Sequence, residues 1–575
     1  MEKPSRVRIA IPALILAVFL GFLGANLYFI QIVRHRDFGT RADAQYGRRI
    51  PVAAKRGTIY DRRGRALAIS LDAASVFAHP ELVQDPVATA SRLAKVLGMP
   101  APSIRANLQS NRPFVWIRRK VDQEQAEAVA KLALPGVGLV PEGKRYYPRK
   151  SLAAHVIGFV GLDDTGLEGV ELAYDHLLTS GVRSLSGRVD ALGRIMFREA
   201  EATSTGSDLF LTIDEAIQHV AERELEAAIR RSGAKSGTVV VVDPGTGEIL
   251  ALANNPSYNP NTYGSYPPAF RRNRALTDPY EPGSAFKLIL AAAAIEEGLV
   301  GPEDLFYSED GFIEMAGGVK IRDREKYGRM TFRDVVAFSS NVGAVKVGMK
   351  VGKDLLYSYI TTFGFGLPTG VDLPGENVGL IRRPHQWSQL SIGALSIGYE
   401  IAATPIQLIT AVATVANDGY LMRPHVVKAV RDQNGRMQEI QPVPVRRVLS
   451  QETARTLASM LAEVVQRGTG QAAALPGAVV AGKTGTAQKI DRNTGRYSRT
   501  KVVASFVGYV PAENPRLAIL VLIDEPARFP WGGSVAAPAF REIAREILSY
   551  LEIPPVHAPD GHVAGRPHEA STTIN

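Results

Sequence analysis

Cysteine is absent from all 575 residues. That excludes disulfides, thiol nucleophiles and cysteine-based metal sites together, and it suits an oxidising compartment where a stray thiol is a liability. The 10 His residues show no His-Glu-x-x-His spacing, so no zinc hydrolase is expected, nor any other metal or cofactor. A strong excess of one charge is also missing. The chain has 67 basic and 57 acidic residues and a formal net charge of +10. Spread over so long a chain, this is a solvated surface with some affinity for anionic lipid or wall polymer, not the footprint of a nucleic-acid binder. No internal repeat is visible. What remains is ordinary globular composition, 45% hydrophobic and 22% charged, with length for two or three domains.

Long apolar runs are scarce as well; one decides the address. Ile9 to Ile30 is apolar apart from Asn26 and a few small residues, enough to cross about 30 Å of hydrocarbon as a helix. Lys3, Arg6 and Arg8 precede it, which predicts a cytoplasmic N-terminus. A cleaved signal peptide is the competing reading, but it needs a shorter core and a small-residue cleavage site. Here Tyr28, Phe29, Ile30, Ile32 and Val33 follow instead. The expectation is a cytoplasmic tail (1–8), a single transmembrane anchor (9–33) and a basic juxtamembrane stalk (34–55), with the rest outside the membrane.

Asp61 to Gly64 reads as a turn between short strands, and 71–180 mixes short helices and strands. The texture changes near 206. Residues 208–214 are strand-like, and Asp214 caps a helical run through Arg231. Residues 237–243 and 248–254 form a hairpin around a DPGTG turn. Residues 479–489, 501–510 and 516–524 supply three more strands, and 538–551 a closing amphipathic helix. Between the strand groups the pattern is mainly helical. Together these predict an α+β domain over 206–552 after a mixed domain over 56–205. The tail 553–575, rich in Pro, His, Gly and Ser, reads as disordered.

Three short motifs carry the chemistry. In Glu281-Pro-Gly-Ser284, the turn precedes an Ala-rich run with the length of a buried helix. It places Ser284 at the helix start and Lys287 on the same face. A serine hydroxyl needs a base, and a lysine can be one only if burial or a neighbouring cation lowers its pKa. Taken alone, the pair also reads as a capping Ser and a solvated Lys. Ser339-Ser340-Asn341 precedes a second helix; it supplies either a cap, from Asn341 or Ser339, or a hydroxyl and an amide aimed into a cleft. Lys483-Thr484-Gly485-Thr486 lies within a strand pattern. There a glycine signals close approach of another backbone, such as a peptide on an edge strand, or a tight hairpin. The ordered triplet Ser-x-x-Lys, Ser-x-Asn and Lys-Thr-Gly is the motif set of β-lactamases and penicillin-binding proteins.

With these motifs in place, the chain resembles the class B penicillin-binding proteins over nearly its whole length. Arg56-Gly57, Asp61-Arg62 and Gly64 look like the family's membrane-proximal signature, and Gly166-Leu167-Glu168 with Tyr174-Asp175 resembles its pedestal motif. Asn255-Pro-Ser-Tyr-Asn-Pro-Asn261, Asn273-Arg-Ala-Leu-Thr-Asp278 and Trp531 to Pro538 resemble the septal, cell-division branch. The chain differs where the family often has Gly-Tyr-Gly (here Gly398-Tyr399-Glu400) and where Trp531 replaces a usual Tyr.

The resemblance implies a penicillin-binding transpeptidase fold: an antiparallel five-stranded sheet flanked by helices, an all-helical lobe, and a pedestal domain before it. It implies a bacterial inner-membrane protein with a periplasmic catalytic domain that cross-links peptidoglycan stem peptides at the septum. Ser284 would attack the penultimate D-Ala and Lys287 act as base. Ser339 and Asn341 would assist proton transfer and hold substrate, and Lys483, Thr484 and Thr486, around Gly485, would bind the terminal carboxylate. β-Lactams would acylate Ser284, and a membrane-embedded glycan polymerase and other division proteins would be partners. The alternatives are an elongation-type transpeptidase, or a D,D-carboxypeptidase or β-lactamase-like hydrolase on the same fold.

Overall fold

The structure, a computed structural model, describes residues 4–38, 47–53, 55–179, 182–189, 195–197, 205–491 and 493–554. Part of the expected stalk and nearly all of the expected disordered tail lie outside these residues. The chain divides into two compact units, one of Met1–Arg56, Ser70–Lys144 and Thr179–Gly206, the other of Gly57–Ile69, Arg145–Leu178 and Ser207–Asn575.

In the first unit the N-terminal helix Pro4–Tyr28 runs on through a π-turn, Phe29–Val33. Ala10–Val33 has a mean hydropathy of 2.2, and none of its residues is buried in the protein. An all-round apolar helix left bare in this way is compatible with a single-pass membrane anchor. Further on, the far half of the strand Ala66–Ala78 pairs antiparallel with Val115–Val121, Phe77 opposite Trp116. Asp85 caps the helix Pro86–Leu97 by accepting from the Val87 and Ala88 amides. Leu93, Leu97, Ile104 and Leu108 pack with Val76 and Ile117 into one small core.

The second unit opens on the predicted turn. Asp61 Oδ1 accepts from the Arg63 and Arg65 amides between the strand Ile59–Tyr60 and the start of Ala66–Ala78. Its framework elements are α1 (Glu215–Ser232), β1 (Ser236–Val242), β2 (Ile249–Asn255), α2 (Lys287–Glu296), α3 (Asn341–Val351), α4 (Gln451–Gln466), β3 (Ala481–Ile490), β4 (Tyr497–Val510), β5 (Leu517–Asp524) and α5 (Gly532–Tyr550). The five strands form one sheet in the order β2-β1-β5-β4-β3, every pair antiparallel. β1 and most of β5 are buried, as their near-continuous Val, Leu and Ile require when both sheet faces are covered. Asp214 caps α1 as expected, accepting from the Ala216 and Ile217 amides. α1 and α5 pack together against one face of the sheet. α2 is apolar all round and buried from Lys287 to Ala294, the condition for a helix at the centre of a domain.

Two boundaries differ from the sequence pattern. The closing helix starts at Gly532, not Pro538, and Pro538 sits inside it. The Gly532 N–H donates to Thr486 Oγ1 at 3.1 Å, so a tertiary contact sets the start where local pattern pointed to the proline. The helical lobe also carries short β-ladders, Leu305–Tyr307 with Arg329–Thr331 and Phe312–Glu314 with Lys320–Arg322.

Phe540 on α5 is 0% exposed, and its ring meets that of Phe506 on β4 at 4.7 Å. Phe540→Ala is expected to cost about 3–5 kcal/mol through lost burial and the cavity left behind. Urea unfolding of the variant measures it; a loss below about 1 kcal/mol would mean that α5 is not packed as described.

Candidate active site

The turn ahead of α2 builds the first part of the site. Pro282 lies in the helical region and Gly283 takes φ +55°, a left-handed conformation open to glycine. A Cβ on Gly283 would stand 2.6 Å from the Thr486 carbonyl oxygen, so the turn sits directly on β3. Ser284 follows in a single 3-10 turn, Gly283–Phe286, which runs into α2 at Lys287. Ser284 is partly buried, and its hydroxyl makes no hydrogen bond among the described residues.

Lys287 is 2% exposed. Its Nζ donates to the Ser339 carbonyl at 2.6 Å and to Asn341 Oδ1 at 2.8 Å, and lies 3.2 Å from Ser339 Oγ. The carbonyl and the amide oxygen can only accept. A neutral amine still serves both with its two protons and keeps a lone pair free. Burial, with the nearby charge of Lys483 second, holds the Lys287 amine well below the ordinary lysine range, against a smaller opposing pull from Asp323. The amine three residues after Ser284 is thus dry and fixed, and its recorded partners are on Ser339 and Asn341.

Ser339 takes φ +62°, a left-handed backbone that costs a non-glycine residue of order 1 kcal/mol and persists only where the surroundings enforce it. The enforcing contacts come from the lobe. Asp323 accepts from the Ser340 hydroxyl at 2.7 Å, the Val342 amide at 3.0 Å and the Asn341 amide, and Asn341 Nδ2 donates to the Arg322 carbonyl at 2.8 Å. A carboxylate here also meets the positive end of α3. The cap of α3 is Ser340, which accepts from the Gly343 amide at 2.9 Å. It is neither Ser339 nor Asn341, the two candidates in the sequence, and both are therefore free to face Lys287.

β3 supplies the third part. Lys483 is 1% exposed, and burial pushes its amine down to about 7. Its Nζ donates to Ser339 Oγ at 2.9 Å, so one hydroxyl stands between two lysine amines. Thr484 Oγ1 and Thr469 Oγ1 share a hydrogen bond of 2.7 Å. A Cβ on Gly485 would meet Ser505 Oγ at 2.4 Å and the Pro282 carbonyl at 2.9 Å. The close approach that this glycine permits is made by the protein's own Pro282–Ala285 turn. β3 is an edge strand, paired with β4 alone in the sheet, so its outer backbone is available to an extended peptide.

The structure thus brings Ser284, Lys287, Ser339, Asn341 and Lys483 to Thr486 together from three distant stretches. Sequence reasoning missed Asp323 and Thr469, which orient Ser340–Asn341 and Thr484. Each sits in a loop with no local pattern, and only long-range packing gives it a role. Among the described residues no group of three His, Asp or Glu is placed to hold a metal ion.

Residues 237–545 match the family model of the penicillin binding protein transpeptidase domain, and 51–211 that of the penicillin-binding protein dimerisation domain. The chain is 35% identical to the peptidoglycan D,D-transpeptidase FtsI of Escherichia coli, over 93% of this chain and 90% of that one. It is equally 35% identical to stage V sporulation protein D of Bacillus subtilis, over 94% of this chain and 84% of that one. Penicillin binding protein 3 of Mycobacterium tuberculosis, solved with ampicillin, superposes with a TM-score of 0.71 at 31% identity, covering 89% of this chain and 98% of that one. With both domain models matched in order and relatives aligned along almost its full length, the chain belongs to the class B penicillin-binding proteins.

Proposed function

We propose that this protein cross-links peptidoglycan stem peptides during septal wall synthesis, with Ser284 as the nucleophile of an acyl-enzyme. Its reaction class is D-Ala-D-Ala transpeptidation, and its ligands are peptidoglycan and β-lactams. The observation that carries the residue assignment is the convergence of the Lys287 and Lys483 amines on Ser339 Oγ, beside the turn that holds Ser284.

The proposed steps follow from the groups present. Neutral Lys287 takes the Ser284 proton, directly or through the Ser339 hydroxyl, as Ser284 Oγ attacks the carbonyl carbon of the penultimate D-Ala. The oxyanion is held by the Ser284 and Thr486 N–H groups, and the terminal carboxylate by Lys483 and Thr484. The C–N bond breaks, and the departing D-Ala amine takes the proton back from Lys287. An amine of a neighbouring stem then attacks the ester carbonyl and gives a proton to Lys287; the acyl C–O bond to Ser284 breaks, and Lys287 passes that proton to Ser284 Oγ. Asn341 steadies Lys287 and the substrate amide.

In this reading residues 206–552 are the transpeptidase domain and 56–205 a pedestal that docks a membrane-embedded glycan polymerase and other division proteins. The N-terminus lies in the cytoplasm and the catalytic unit in the periplasm. The septal assignment is supported by the motifs shared with that branch and by the FtsI relationship, although FtsI and the sporulation protein are equally similar overall. Depletion in the native bacterium is expected to give filaments; rounded cells would instead favour an elongation role.

Intact-mass measurement after penicillin treatment should show one adduct, mapped to Ser284 and lost in Ser284→Ala; an adduct on the variant rejects the nucleophile. Lys287→Ala should slow acylation by at least ~100-fold, the low end for a general base. The acylation rate constant should trace a bell against pH. It rises as Lys287 loses its proton, well below the ordinary lysine range. It falls above about 7, where Lys483 loses the charge that meets the carboxylate. A rate that kept climbing to about pH 10 would mean that Lys287 titrates as an unperturbed lysine.

A further inference from the structure

Past Thr486, β3 continues through Ala487, Gln488 and Lys489, and this stretch opens on a cavity of about 510 Å3. Glu281, on the turn that carries Ser284, lines it together with Glu400 and Arg382. The charges are arranged in two groups. Glu281 Oε1 accepts from the Tyr497 hydroxyl and from the Glu400 amide, both at 2.9 Å. Glu400 accepts from the Ser391 hydroxyl at 2.6 Å through one oxygen only. Burial, with the neighbouring Glu400 contributing, raises the Glu281 carboxyl above its usual range, the mark of an anion short of countercharge. Lys489 does not answer it, because it is held by Asp524 at 2.8 Å and Glu525 at 2.6 Å. Arg382 is exposed and makes no ion pair among the described residues. The lining of the cavity therefore offers acceptors for a cation, at Glu281 and Glu400, and a guanidinium with no ion pair among the described residues, at Arg382.

Its position along the strand says which part of a substrate it meets. With the terminal carboxylate at Lys483 and Thr484 and the scissile carbonyl at Ser284 and Thr486, the donor stem runs antiparallel to β3. Its C-terminus points toward Lys483. At a rise of about 3.3 Å per residue, the residue before the penultimate D-Ala falls beside Ala487 and Gln488, at the mouth of the cavity.

We infer that this cavity receives the side chain of the third stem residue and selects one that ends in an ammonium and a carboxylate on the same carbon. Glu281 and Glu400 hold the ammonium, and Arg382 pairs with the carboxylate. The inference rests on the transpeptidase reading of Ser284 and Lys483–Thr486. A side chain ending in an ammonium alone satisfies the acids and leaves Arg382 unused, whereas an apolar one leaves two carboxylates facing a dry wall. Glu400 stands at φ +58°, a conformation glycine adopts freely, so the acid can be removed by a glycine without backbone cost.

The test is competition for Ser284 between a fluorescent penicillin and two pentapeptides ending in D-Ala-D-Ala, using the full chain in detergent. One peptide carries diaminopimelic acid at its third position and the other lysine. The diaminopimelic peptide should compete about five-fold better, the scale of a partly solvated ion pair. Arg382→Ala should bring the two within about two-fold. Glu400→Gly should weaken both together and keep their ratio. Equal competition in the unaltered protein, a preference that survives Arg382→Ala, or undiminished competition in Glu400→Gly overturns the inference. Penicillin labelling of Ser284 without discrimination removes only this subsite; absence of labelling removes the acyl-enzyme reading on which it stands.

Discussion

Two buried lysine amines share one serine hydroxyl, and the rest of the catalytic unit is organised around that fact. Lys287 and Lys483 are each almost fully withdrawn from water, and both meet Ser339 Oγ. Two ammonium ions in so dry a place would repel one another and forfeit their hydration, a cost of several kcal/mol per ion. The protein relieves it by lowering proton affinity, not by pairing each lysine with a carboxylate. Asp323 stands one step away, bound to the backbone of α3. A carboxylate placed directly on Lys287 would have restored its ordinary basicity.

Holding this arrangement requires strain and close approach elsewhere. Ser339 is kept in a left-handed backbone by Lys287 on its carbonyl and by Asp323 on the next residues. The turn that carries Ser284 is pressed onto β3 at Gly283 and Gly485, where no side chain would fit. Behind these contacts lie elements that cannot shift cheaply: α2 is buried from Lys287 to Ala294, and β3 is tied to the sheet through β4. The outer edge of β3 is left open, and beside it lies the charged cavity of Glu281, Glu400 and Arg382. Rigid core, dry lysines and open strand edge are three consequences of one layered fold.

Much of this was legible beforehand because it depends on local pattern. The hairpin of β1 and β2 follows from two apolar runs around a DPGTG turn, and the burial of α2 from a run of Leu, Ile and Ala without a polar face. The cap of α1 at Asp214 follows from a short acceptor beside free amides. Where several short polar residues stood together, local pattern could not choose. Ser339, Ser340 and Asn341 are all competent caps, and it is the bond that the Ser340 hydroxyl donates to Asp323 that settles Ser340 into the role. The start of α5 was misplaced for the same reason, since a proline is a strong local signal and a hydrogen bond to Thr486 is invisible in sequence.

By itself the sequence determined the elements, the apolar N-terminal helix, the ordered Ser-x-x-Lys, Ser-x-Asn and Lys-Thr-Gly motifs, and with them the family. Periodicity, turn chemistry and residue type act over a few positions and need no partner. The tertiary structure alone decided that Lys287 is dry, that Ser339 lies between two amines, that Gly485 makes room for the protein's own turn, and that Glu281, Glu400 and Arg382 line one cavity. Burial and electrostatic coupling are properties of groups brought together from distant parts of the chain, and no stretch of sequence contains them.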